Sequence, residues 1–134
     1  MVLTRNMLAD GYHLHEPATR SAIDRCEQEA GYGFPEDYVA LLLISDGLRT
    51  DGNLSLLDVE SIGERNRDYE VQDYLPGFVM IGDDSGGNAL LMKTGDAAVY
   101  EVGMGVMDEA TMVKSAATIE ELLIGHKGKT LSER

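Results

Sequence analysis

A chain of 134 residues, 43% of them apolar, is one domain by length over residues 1–134 and can build a core without a metal or disulfide staple. Its formal net charge of −13 argues against DNA, RNA and anionic membranes as partners, because affinity for phosphate-rich surfaces comes largely from Lys and Arg. The excess sits centrally: residues 36–101 hold 14 acids and 4 bases, a net −10, against −2 for residues 1–35 and −1 for residues 102–134.

Residues 1–15 carry no clear periodicity, and the first few are expected to fray. Met1-Val2-Leu3-Thr4-Arg5-Asn6 has no sustained apolar core before Asp10, so no secretory signal is expected. No apolar run approaches the roughly 20 residues of a bilayer span, and the lone Cys26 fits a reducing compartment. A soluble, cytoplasmic protein is the expectation. In an extended segment His13 and His15 share a side, which with Glu16 would suggest a metal pair. No helical His-x-x-x-His spacing or cysteine supports it, and a structural role is the plainer reading.

Pro17 suits the first turn of a helix. Ala22, Ile23, Cys26 and Ala30 make an apolar stripe at helical spacing, with Asp24, Glu27 and Glu29 on the wet side and Gly31 as the stop. Cys26 then reads as a small buried hydrophobe. Pro35 opens a second helix with Glu36 and Asp37 in its first turn, where the dipole favours acids. Its body from Tyr38 to Ile44 is apolar nearly all round, as in a buried helix, and Ser45-Asp46-Gly47 ends it.

Asn53 to Leu57 alternates and predicts a first strand. Val59 to Tyr69 is polar with Val59 and Ile62 as anchors, a short helix or turn, and Glu70 to Tyr74 leads onward. Then Phe78–Ile81, Asn88–Met92 and Ala97–Val102 are apolar runs separated by turns rich in Gly and Asp, the pattern of an antiparallel meander. The runs are nearly continuous, so both sheet faces should be partly covered. Met104 to Met112 is expected to hold a short edge strand. Thr118 with Glu121 forms a capping-box pattern before Ile119, Leu122 and Leu123, and Gly125 ends that helix. The fold class is therefore α+β: a mostly antiparallel sheet with a central meander, flanked by two N-terminal helices and a C-terminal helix.

The motifs for chemistry are thin. Gly82 and Gly87 have P-loop spacing, but Asn88-Ala89 replaces Lys-Ser/Thr, two acids sit inside, and a strand follows. Asp83, Asp84, Ser85 and Asn88 offer oxygen ligands for Ca²⁺ or Mg²⁺ without the EF-hand spacing; the same residues suit a hairpin turn. No nucleophile elbow, activated thiol or distinguished carboxylate pair is present. No enzyme activity, metal or cofactor is expected.

The ordered set resembles the SUKH superfamily, which includes the Smi/Knr proteins. Its carriers are Ile23 to Gly31, then Phe34-Pro35-Glu36-Asp37-Tyr38, Leu41-Leu42-Leu43 and Ser45-Asp46-Gly47. Further on come Ile81 to Asn88, Gly95-Asp96 before Val99-Tyr100, and Ser115 to Leu123. The similarity covers roughly residues 18–125. The chain has no tryptophan, and Phe34 stands where the family usually has Leu. The resemblance implies the α+β fold and a non-enzymatic protein-binding module. Bacterial members are commonly immunity proteins against polymorphic toxins, often nucleases; fungal relatives are scaffolds in cell-wall regulation. It carries over no catalytic residue and no fixed binding site.

The residues themselves place a partner surface at Glu70, Asp73, Tyr74, Asp83 and Asp84. These lie in loops at opposite ends of one predicted strand, where acids and a possible aromatic anchor meet main-chain turns. A basic partner, such as a toxin domain, is the fitting occupant. The competing reading packs Tyr74 into the core and leaves the acids to solvate turns.

Overall fold

The computed structural model describes residues 3–134. The expected meander forms the middle of the sheet as β4 (Phe78–Asp83), β5 (Asn88–Lys93) and β6 (Val99–Gly103). Met80 pairs with Leu91, and Leu91 with Tyr100. Side chains alternate between two cores: Val79, Ile81, Leu90, Met92 and Val99 enter the larger one, Met80, Ala89, Leu91 and Val102 a smaller one. Burial on both faces is why the runs read as continuous rather than alternating.

Four short strands extend the meander into one seven-stranded antiparallel sheet in chain order. They are β1 (His13–Leu14), β2 (Leu48–Arg49), β3 (Ser55–Leu56) and β7 (Val113–Ala116). Two differ from expectation. The strand expected over Asn53–Leu57 shrinks to Ser55–Leu56. The edge strand expected within Met104–Met112 lies after it, at Val113–Ala116. Residues 104–112 instead make a loop and a 3-10 turn at Glu109–Thr111, because Asp108 accepts from Ala110 N at 3.0 Å and curls the chain out of the sheet.

Thr4 caps a short α1 (Arg5–Leu8), where no element was expected. The fraying expected of the first residues includes Met1 and Val2, which lie outside the described residues. α2 (Arg20–Ala30) starts three residues later than Pro17 suggests, because Thr19 Oγ1 accepts from Ala22 N at 3.1 Å and supplies the cap. Gly31 closes it at φ 89, the left-handed value glycine tolerates. α3 (Glu36–Leu42) follows Pro35 and fully buries Tyr38, Leu41 and Leu42, while Leu43 just beyond is 37% exposed. α4 (Val59–Asp68) is a full helix capped by Asp58, with Val59 and Ile62 buried as expected. α5 (Val71–Tyr74) is a single turn where only a lead-in was expected.

The C-terminal helix widens into a π turn over Glu121–Gly125. His126 N reaches back five residues to Glu121 O at 2.8 Å, and Leu123 O accepts the Tyr12 hydroxyl at 2.5 Å. Thr118 Oγ1 accepts from Glu121 N as a cap should, but Glu121 Oε1 returns to Ala117 N, one residue before the capping-box position. The segment after it is a strap. Glu133 Oε2 accepts from Asn53 N beside β3, Leu131 N donates to Glu101 on β6, and Arg134 donates to Ser115 on β7. Residues 131–134 thus tie the β3 side of the sheet to β6 and β7.

Candidate protein-binding surface

Two amide side chains fix the first part of this surface. β3 pairs with β4 only at Gly82 and Asp83, leaving the start of β4 without a strand neighbour on that side. The fully buried Asn66 replaces it: Nδ2 donates to Met80 O at 3.0 Å and Oδ1 accepts from Met80 N at 2.8 Å. Gln72 Nε2 donates to Asn66 Oδ1 at 3.2 Å and to Phe78 O at 3.1 Å. A buried strand edge must satisfy its backbone groups, so these bonds hold α4 and α5 against the sheet. Between the helices Glu70 takes a left-handed φ of 53, which turns the chain sharply into α5.

That turn presents Glu70, Asp73 and Tyr74 to solvent, with Tyr74 61% exposed. Core packing of Tyr74, the competing expectation, is overturned. The other two residues are engaged within the fold. Asp83, its side chain 15% exposed, accepts from Arg65 at 2.9 Å, and Arg65 also lies over the Tyr69 ring. Asp84 is 2% exposed. Its Oδ1 accepts from Gly86 N and Asn88 N at 2.8 and 2.9 Å, and its Oδ2 from Asn88 Nδ2 at 2.8 Å. Burial pushes the Asp84 carboxyl up, but the bonds from Asn88 and Gly86 outweigh it and hold the group below its ordinary value. The expectation that this loop exposes both acids is therefore corrected: Asp84 fastens the β4–β5 turn. Gly82, the first glycine of the P-loop-like spacing, is required because a Cβ there would collide with the Ser55 carbonyl oxygen. The two halves of the expected site lie toward opposite ends of β4, a six-residue strand roughly 17 Å long at ~3.3 Å per residue.

A further patch escaped the sequence reading. The smaller core lies on the sheet face carrying α5 and the 103–112 loop, and the partly buried Tyr69, Tyr100, Met104 and Met112 pack against it. Phe78 and Tyr100 meet edge to face, centroids 5.9 Å apart at 82°. Lys93 Nζ sits 5.6 Å from the Phe78 ring centroid, and the Tyr100 hydroxyl donates to Asp96 Oδ2 at 3.2 Å. Burial, then Asp96, then Glu109, push the Tyr100 phenol up. Val106, just past β6 and near Gly103, is 59% exposed. The available signal was three methionines within nine residues, Met104, Met107 and Met112, next to an aromatic strand residue. Adaptable Met-rich loops are a known form of contact surface.

The remaining motifs take structural partners. His13 Nε2 meets Asp51 at 2.5 Å and His15 Nδ1 meets Asp46 O at 2.9 Å, so the two rings serve different loops. Among the described residues no group of three or more His, Cys, Asp or Glu side chains is poised around a metal. Cys26 is 8% exposed at the α2–α4 seam, where burial pushes its thiol up, and Arg25 bridges that seam to Glu60 at 2.5 Å. No helix of the described residues is long and apolar enough to cross a membrane.

The sequence pattern of the SMI1 / KNR4 family (SUKH-1) matches residues 17–125. The chain belongs to this family. The SUKH-1 match begins just before the α2 cap and ends with the π turn, so it takes in the amide-pinned helices and the Tyr100 face but not the strap. This SUKH-1 chain is also 38% identical over 71 residues to an uncharacterized protein, YnaB of Bacillus subtilis (strain 168). That match covers 53% of this chain and 47% of YnaB, so the likeness spans about half of each.

Proposed function

We propose that this SUKH-1 protein is a non-enzymatic binding module, one domain over residues 1–134, that acts in the cytoplasm as an immunity protein. Its partner on this reading is a basic toxin domain, of nuclease type, whose nucleic-acid cleft it covers in place of the phosphate backbone. Family membership supports a protein-interaction role. The observation that carries the finer reading is the net −10 of residues 36–101, displayed in part on the exposed Glu70 and Asp73 beside the exposed Tyr74. Opposed surface charge raises the encounter rate and selects against wrong partners, and an exposed tyrosine beside it suits a contact anchor.

The test is co-expression with a basic toxin domain encoded beside this gene. Rescue of growth, a stable complex and loss of the toxin's activity in vitro are the expected results. A neighbouring toxin that is neither bound nor inhibited overturns the immunity reading. Saturable binding to an endogenous protein, with no toxin affected, replaces it with a scaffold role.

A further inference from the structure

We propose that residues 129–134 are a detachable latch. The strap swings off the sheet about Gly128 while the rest of the fold stays intact, and each opening returns the buried Glu101 carboxylate to water.

The attachment argues for release. Among the described residues, no side chain of 129–134 belongs to either apolar core. Three hydrogen bonds among those residues tie the strap to the sheet. Leu131 N donates to Glu101 Oε2 at 2.9 Å, Arg134 Nη2 to Ser115 Oγ at 2.7 Å, and Asn53 N to Glu133 Oε2 at 3.4 Å. An element held without apolar burial lies at the low end of local stability, because water can replace each polar contact it gives up.

The strap also carries its own order. Thr130 is fully buried, yet its hydroxyl meets Ser132 Oγ at 3.2 Å and Glu133 Oε1 at 3.1 Å, and its N–H donates to Glu133 Oε1 at 3.0 Å. These bonds lie within the strap and travel with it. The hinge is fixed from the other side. Gly128 N donates to Leu122 O at 2.8 Å, and a Cβ on Gly128 would stand 2.6 Å from the Tyr12 hydroxyl and 2.9 Å from Thr50 Cγ2. The chain is pinned through Gly128 and turns freely only from the exposed Lys129 onward.

Glu101 favours the open form. It is 5% exposed, and its Oε2 accepts from Ser115 Oγ as well as Leu131 N. Among the described residues no Lys, Arg or His forms an ion pair with it. A carboxylate buried without a cation is held away from water at a cost. Opening exchanges the Leu131 N–H for hydration, which offsets part of what the strap loses. The latch therefore decides whether Glu101 joins the acids that the surface displays.

The test follows amide hydrogen exchange of the full chain by NMR, with Leu131 reporting on the latch and Leu91 of β5 on the sheet. Corrected for intrinsic rates, Leu131 should exchange at least about a hundredfold faster than Leu91, at a rate unmoved by low urea, because latch opening exposes little surface. Leu42→Ala, in the core, should speed Leu91 at least about thirtyfold and leave Leu131 unchanged. Ile23→Val gives the same contrast on a smaller scale if Leu42→Ala does not fold. Arg134→Ala should speed Leu131 about tenfold. Leu131 exchange that rises in step with Leu91 in urea or in the core variants would overturn the latch, since the strap would then open only with the whole fold. So would a Leu131 rate indifferent to Arg134→Ala, or a Leu131 amide with no protection, which would mean that the closed form is not populated.

Discussion

Asn66 does the work of a missing strand segment with one side chain. Asn66→Ala would leave the N–H and C=O of Met80 buried without partners, and Gln72 without its acceptor. Unpaired buried groups cost ~1–3 kcal/mol each, so urea denaturation should show a loss of about 2–4 kcal/mol. A change under ~0.5 kcal/mol, typical of surface positions, would mean water replaces the amide. Asp84 predicts a pH effect of defined sign. Its carboxyl titrates lower in the folded chain than its ordinary value, so its contribution is complete above the unfolded value of about 3.9 and is lost as pH falls through the folded one. Asp84→Ala should therefore lower Tm at pH 7, with a gap to the parent that closes on acidification toward pH 2. A gap constant with pH would assign the loss to turn shape alone. The sequence made the Asp-Gly turn legible, because turn residues signal by type. It could not reveal that Asp84 faces inward while Asp83 pairs with Arg65, since that partner comes from 18 residues away.

Among the elements, α3 has the strongest claim on the core. Leu42 is fully buried on it, and Leu42→Ala should cost about 2–5 kcal/mol by chemical denaturation, as buried leucine truncations do. Stability within ~0.5 kcal/mol of the parent would remove α3 from the core. α2 was readable because its apolar stripe repeats at helical spacing, and α3 and the meander because their apolar runs are long and bounded by Pro, Gly and Asp signals. The strands β1, β2 and β3 are two residues each; a period of two cannot appear in two residues, and their pairing is imposed by neighbours. The π turn was unreadable for a related reason. Its widening is matched by the Tyr12 hydroxyl on Leu123 O, a contact across 111 positions. The expected binding residues divided the same way. Glu70, Asp73 and Tyr74 fell on an exposed turn, whereas the Tyr100 patch needed the sheet to bring residue 78 beside residue 100.

For the whole molecule, charge sets the kinetics of association. With a basic partner, stopped-flow rates should fall steeply as salt rises and the Debye length shrinks to about 8 Å at physiological ionic strength. Asp73→Lys is the cleaner charge reversal, because Asp83→Lys would also break the ion pair with Arg65. Rates indifferent to both salt and Asp73→Lys would remove electrostatic steering. The strap across the sheet has a consequence for biosynthesis. Leu131 satisfies the buried Glu101 carboxylate, and Glu133 reaches the β2–β3 loop, so neither contact exists until the ribosome has made residues 128–134. A chain emerging N-terminus first at about 5–20 residues per second must hold that seam untied, with Glu101 bound by Ser115 and not yet by Leu131, for that interval. The nascent protein is then a sheet waiting to be laced, exposed to chaperone or protease until residues 128–134 have left the ribosome and docked.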